Sequence, residues 1–156
     1  MEPALRVISG GPASRDLGRR MAVGFQKYQA GDRAGAADGF LTPTFGPEYR
    51  ELLDRVLPAS WNQVGRDADA FLGVEVPELR WWQFGSVEAK RIRVPVLSLV
   101  GEESDAAFLE FEELLSGLLP RLETARVPGA NHLLCLKQPR PVAESLARFL
   151  ARHPLR

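Results

Sequence analysis

Apolar side chains recur every three or four residues through the first 85 positions, in stretches cut short by glycine and proline. Leu17, Met21, Phe25 and Tyr28 line one face of a helix. Gly31 stops that helix, and Asp32 can cap a second one over about 33–41, expected to end before Pro43. Tyr49, Leu52, Leu53, Val56 and Leu57 make a third stripe, started by Pro47 and ended by Pro58. Trp61, Val64, Ala68, Phe71 and Leu72 make a fourth. Each helix is short, with one apolar and one charged face, so the set should pack on itself or cover something else.

After about Arg91 the pattern changes. Residues 94–100 (Val-Pro-Val-Leu-Ser-Leu-Val) form a nearly continuous apolar run rich in β-branched side chains, as in a strand buried on both faces of a parallel sheet. Gly101 ends it. Ser104 or Asp105 can cap a helix with Phe108, Phe111, Leu115 and Leu118 on one face, and Pro120 ends that helix. Residues 122–127 then read as a second strand. The spacing is that of a βαβ unit of about 30 residues, which implies parallel strands and a right-handed crossover. A loop over 128–132 follows, and Pro139 and Pro141 open a last helix with Val142, Leu146, Phe149 and Leu150 together. Two parallel strands do not make a stable core by themselves; such a sheet needs both faces covered and further strands beside it.

The 156 residues suit one domain. With 45% hydrophobic and 26% charged residues, the chain is outside the range of disordered sequences. Lys and Arg number 20, as do Asp and Glu, so there is no basic field to hold nucleic acid. The single cysteine, Cys135, excludes an internal disulfide framework and fits a reducing compartment. No apolar run approaches the roughly 20 residues of a membrane span. The first residues lack a basic stretch ahead of an apolar one, so no signal peptide is read there. The expectation is a cytoplasmic protein that binds neither membrane nor nucleic acid. Two histidines without an acidic cluster at ligand spacing predict no metal site. No phosphate-cradling Gly-x-x-x-x-Gly-Lys occurs, and no cofactor is expected.

His132 is the most suggestive residue for chemistry. It lies in a loop just past the carboxyl end of a predicted parallel strand, the edge where open α/β sheets bind ligands. An imidazole there can act as a general base near neutral pH; equally, it can serve only to hydrogen-bond the loop. His153, among Arg152 and Arg156, reads as a terminal, solvent-exposed residue.

The run 91–102 (Arg-Ile-Arg-Val-Pro-Val-Leu-Ser-Leu-Val-Gly-Glu), Leu119-Pro120, 127–132 (Val-Pro-Gly-Ala-Asn-His) and 138–150 together resemble the C-terminal part of an α/β-hydrolase. The resemblance implies an α/β fold with a predominantly helical cap. It puts the end of strand 6 at 1–8, the cap through about residue 90, and strands 7 and 8 with their helices in 91–156. It makes His132 the catalytic histidine of a Ser-His-acid triad. For the acid it offers Glu2, after strand 6, or Asp105, near the end of strand 7; the bland readings are a solvated terminal charge and a helix N-cap. Trp61, Trp81, Trp82 and Phe84 become candidates to line a pocket for a small hydrophobic ester-like substrate, against the simpler reading of helix packing. In extended backbone, the adjacent Trp81 and Trp82 would face opposite ways, so only one could meet the pocket.

One part of the family pattern is absent. None of the eight serines has glycine both two before and two after it, so no nucleophile elbow is present, and no His-Gly oxyanion segment occurs. The chain is thus expected to supply the histidine, the acid and the cap of such an enzyme, to be a truncated portion, and to be inactive alone. The alternative is a non-catalytic helical interaction module, suggested by the tetratricopeptide-like turn at 28–36, although no second copy recurs. A sheet edge left open beside strand 7 also suggests a homo-oligomer.

Overall fold

The computed structural model describes residues 11–79, 81 and 84–154. Helix α1 (Pro12–Gln29) begins with proline at its first turn, where a missing N–H costs nothing. Its N-cap, Gly11, has no side chain to satisfy the free N–H groups. Glu110 does so from a distant helix: its carboxylate accepts from Ala13 N at 3.0 Å and from Ser14 Oγ at 2.8 Å. A Cβ at position 11 would fall 2.2 Å from that carboxylate, so the contact depends on glycine there.

Gly31, at φ +86°, turns the chain into α2 (Arg33–Phe45), and Asp32 caps it by accepting from Gly35 N at 2.8 Å. The turn resembling a helical repeat is therefore a real helix hairpin. Helix α2 does not stop before Pro43 as expected. Proline in the last turn deprives only the carbonyl four residues back of its partner. Thr44 Oγ1 donating to Phe40 O (3.1 Å) and Gly46 N donating to Thr42 O (2.9 Å) keep the turn closed. Helix α1 crosses α2 with backbones nearly touching: a Cβ on Gly24 would meet Ala36 O at 2.7 Å and Phe40 N at 2.8 Å.

Helix α3 (Tyr49–Val56) follows the expected stripe. Helix α4 (Ser60–Ala70) runs on through a π-helical turn at Phe71–Glu75 into α5 (Val76–Glu78). Gly73 sits in the widened turn under the Tyr28 hydroxyl, 2.4 Å from where a Cβ would be. Ala36, Phe40, Leu72 and Val76 form the core of this helical part, with Met21, Phe25 and Phe71 around it. Edge-to-face pairs of Phe40 with Phe25 and with Phe71 fill it.

The second half contains α6 (Ser86–Ala89), β1 (Val96–Gly101), α7 (Ala106–Leu118), β2 (Leu122–Val127), α8 (Leu134–Lys137) and α9 (Pro139–Arg152). The strands pair in parallel, Val96 opposite Leu122 and Gly101 opposite Val127. Among the described residues this is the whole sheet. The strand starts at Val96, two residues later than read from sequence: Pro95 has no N–H for a ladder, and Val94 is exposed. Side-chain alternation gives the sheet two covered faces. Val96 and Leu122 meet Phe111, Leu115 and Leu119 on the α7 side. Leu99 and Val127 meet Leu134 and Val142 on the α8–α9 side. The ion pair from Arg126 to the buried Glu112 of α7 (2.5 Å) lies on the first face. The contacts of Glu123 with Arg152 and His153 at the end of α9 lie on the second. The molecule is thus mostly helical, with a small parallel sheet sandwiched between helices. This arrangement gives no support to a purely helical interaction module.

Helix α1 docks on α7 through Leu17, Ala107 and Phe108, with Ala13 and Met21 beside them. Together with the Glu110 cap, that contact joins the helical part to the sheet-bearing part.

Candidate active site

The loop after β2 lies on the carboxyl end of β1. A Cβ at Gly101 would come within 2.3 Å of Ala130 O and 2.6 Å of Asn131 O, so only glycine allows this approach. Backbone bonds fasten the two segments: Glu102 N to Val127 O at 3.1 Å and Glu103 N to Ala130 O at 2.8 Å. Gly129, at φ +66°, makes the turn.

Asn131 is buried and uses both ends of its amide. Its Oδ1 accepts from Leu133 N at 3.0 Å, curling the loop around His132. Its Nδ2 donates to Phe45 O at 2.5 Å, one of the carbonyls that a helix end leaves without an intrahelical donor. Phe45, at the end of α2, then stacks on His132, with centroids 5.5 Å apart and planes 20° from parallel. Phe108, from the first turn of α7, stacks with it at 4.0 Å and 15°. Phe45 and Phe108 thus both lie nearly parallel to the imidazole. Its nitrogens lie in the ring plane, so hydrogen bonding runs through the edge of the ring. Each aromatic contact of this kind is worth about 0.5–1.5 kcal/mol.

A cavity of about 300 Å³ opens next to Phe45 and Asn131; His132 and Phe108 are not among its lining residues. It is lined by the segment 43–48, Glu103, Asp105, Asn131 and Lys137. Its carboxylates are held by cations. Lys137 Nζ stands 3.2 Å from Glu48 Oε1 and 3.5 Å from Glu103 Oε2. A hydrogen bond from its own backbone N–H, and then the Lys137 ammonium, hold Glu48 below the usual carboxylate range. Asp105 caps α7, accepting from Ala107 N at 3.0 Å through Oδ1, while Oδ2 accepts from Arg20 Nη2 at 2.5 Å. Arg20 also reaches Asp16 and Pro43 O, so it ties α1, α2 and α7 together at the cavity rim.

The candidates from sequence fall in different places. Asp105 and the loop carrying His132 are brought to one end of the sheet. Glu2 and Trp82 lie outside the described residues. Trp61, Trp81 and Phe84 are not among the residues lining the cavity. The Arg50 guanidinium lies 3.8 Å over the Trp61 ring and Tyr49 meets it edge-on, so this side chain packs α3 against α4. Trp81 is 69% exposed. Phe84 packs on Ala89, Phe111, Leu115 and Leu119, on the α7 side of the sheet. Phe45, Phe108, Asn131 and Arg20 were missed as site residues. Phe108 was legible only as a helix-face position, and the Asn131–Phe45 link joins positions 86 apart that no periodicity relates.

No protein-family model matches the chain, and no curated protein matches it. Among solved structures, the crystal structure of carboxylesterase CesB (YbfK) from Bacillus subtilis is similar, with 23% sequence identity and a TM-score of 0.57. The chain is similar in fold to about half of a carboxylesterase. The match covers 96% of this chain and 49% of that one. The likeness concerns the fold, and at that level it agrees with the resemblance carried by 91–102 and 127–132. Among the described residues, no helix is long and apolar enough to cross a membrane.

Proposed function

We propose that this chain is the cap and histidine-bearing part of an α/β-hydrolase that cleaves a small hydrophobic ester, or a related acyl or carbon–carbon bond, through a Ser-His-acid triad. In this reading the helices up to about residue 90 are the cap, residues 91–156 are the C-terminal part of the core, and β1 and β2 are strands 7 and 8; the end of strand 6, expected at 1–8, lies outside the described residues. The observation that carries it is the His132 loop at the carboxyl end of a parallel strand pair, where Phe45 and Phe108 both stack on the imidazole and the neighbouring Asn131 lines a cavity. Ligands of open α/β sheets bind at that edge.

His132 takes the proton of a serine hydroxyl as that oxygen attacks the acyl carbon, and returns it to the departing alcohol. The serine belongs to an elbow outside this sequence. The acid orients the imidazole and stabilises its protonated form. Glu2 is the favoured acid, because both oxygens of Asp105 already serve the α7 N-terminus and Arg20. The segment 43–48 lines the substrate side.

The purified chain alone should not turn over p-nitrophenyl butyrate faster than equimolar imidazole. Turnover abolished by His132→Ala would mean that the chain holds its own nucleophile, and would sink the proposed division of labour. Joined to the portion of the Bacillus carboxylesterase outside the match, a folded chimera should hydrolyse the ester and lose that activity in His132→Ala. Activity in a folded chimera indifferent to His132 would refute the role given to this residue.

A further inference from the structure

We propose that Asn131 is a positioning residue that latches the helical cap onto the candidate histidine, so that the orientation of the His132 ring is set by where α2 ends. The proposal rests on reading His132 as the general base, but its geometry stands apart from that reading.

Three observations converge. Asn131 is 7% exposed, and a buried amide with unmet donors would be costly, so its two bonds are a structural commitment. One bond is local, to Leu133 N, and shapes the loop that presents the imidazole. The other is to Phe45 O in the cap, 86 positions away. The residue whose carbonyl is gripped is the one whose ring stacks on His132, next in sequence to Asn131. A single side chain therefore sets both the curl of the histidine loop and the position of the phenyl ring against it. Phe108 is buried in the α1–α7 contact and forms a fixed backstop 4.0 Å from the imidazole. Phe45 is the adjustable partner, since α2 belongs to the cap. If the latch opens, the ring loses one of its stacking partners, and its rotation is no longer opposed from the α2 side. A general base must meet its proton within hydrogen-bond reach and in line, so such rotation would be felt in turnover before binding.

The test reads the ring protons of the two histidines by NMR in the isotope-labelled chain. Stacking with Phe45 and Phe108 should displace the His132 ring protons upfield, while His153, beside Glu123 and Phe149, reports on the overall fold. Asn131→Asp keeps the acceptor for Leu133 N but sets a carboxylate against the Phe45 carbonyl. Asn131→Ser keeps a short acceptor and is too short to reach Phe45. Both should move the His132 protons toward free imidazole, with His153 unmoved. Phe45→Leu should remove one part of the displacement with the Asn131 bond intact. If Asn131→Asp disturbs His153 as well, the serine variant decides. His132 protons that keep their wild-type positions in a variant whose His153 is unmoved would overturn the proposal.

This readout involves no catalysis. If ester turnover in the chimera proves independent of His132, the hydrolase reading falls and the latch survives. If turnover depends on His132 but the ring protons ignore Asn131, the latch falls and the hydrolase reading survives. Where turnover is seen, Asn131→Asp should lower kcat with KM held.

Discussion

A methyl group added at Gly24 should cost stability, whereas the same group added at Gly18 on the same helix should increase it. Both substitutions carry the same intrinsic gain, since alanine is favoured over glycine in a helix interior by about 0.8–1.0 kcal/mol. They differ in what the methyl meets. At position 18 nothing lies within 4 Å. At position 24 the new carbon falls 2.7 Å from Ala36 O, 2.8 Å from Phe40 N and 3.1 Å from Gly39 C, all backbone atoms of α2. Favourable carbon contacts begin near ~3.5 Å, so the helices must part by more than about half an ångström. No rotamer change can absorb that strain, because the obstacle is main chain. Overpacking costs about 1–3 kcal/mol, and a backbone obstacle belongs toward the top of that range. After the propensity gain, Gly24→Ala should lose about 1–2 kcal/mol and Gly18→Ala should gain about 1 kcal/mol. For a chain of this length that is a melting temperature roughly 2–8 °C lower for the first and about 2–4 °C higher for the second. Urea unfolding should show the midpoints moving apart with the slope unchanged. Equal stabilisation by both substitutions would refute the close crossing of α1 and α2.

Three further outcomes follow from single contacts. Gly101→Ala drives a methyl into Ala130 O and Asn131 O, and should cost about 2–3 kcal/mol while displacing the His132 ring protons; a neutral melt would deny the loop its seat on β1. Tyr49 is 1% exposed, and burial first, with its hydrogen bond to Asp38 opposed by Arg50, pushes its hydroxyl up to about 12. Because the folded value lies above the unfolded value near 10, its contribution is intact below pH ~10 and is lost as pH rises toward ~12, at about 1.4 kcal/mol per unit. Tyr49→Phe should flatten that alkaline limb of a stability–pH curve, and an unchanged limb would count against the assignment. Glu110→Ala removes the cap of α1 and should cost about 0.5–1 kcal/mol, at the low end for a carboxylate partly in water. Glu110→Gln should recover part of that loss in thermal melts; no loss in either variant would show the contact to be idle.

Helices α1, α3, α4, α7 and α9 were legible from apolar spacing, α2 only from its Asp32 cap, and the short α5, α6 and α8 were not read; residues 122–127 were legible as a strand with both ends correct. The errors fell where proline or a helix irregularity decides. Pro43 was read as a stop, but in a final turn it breaks only one bond. Pro95 was read inside a strand, but it cannot join the ladder. The π-helical turn at Phe71–Glu75 has no periodic signature in the sequence; the Tyr28 hydroxyl lies over its Gly73. The loop position of His132 was legible because a strand, a turn glycine and a histidine follow in order. Its stacking partners were not, since Phe45 and Phe108 come from two separate helices. An aromatic residue suits a pocket and a helix contact equally, and in this structure Trp61 makes a helix contact.

The contacts around His132 join the end of α2, the first turn of α7 and the loop after β2. Gly101 seats the histidine loop on the sheet, Phe108 backs the ring from α7, and Asn131 couples it to the end of α2. The position of α2, in turn, depends on how closely α1 crosses it at Gly24. A wedge at that crossing should therefore be felt at His132 through Phe45, although the atoms nearest to a methyl at position 24 are backbone atoms of α2. Gly24→Ala should shift the His132 ring protons in the direction of the Asn131 variants, and Gly18→Ala, on an open face of the same helix, should leave them in place. If the two alanines act alike on the ring, the position of α2 does not govern the histidine, and the proposed coupling through Phe45 falls.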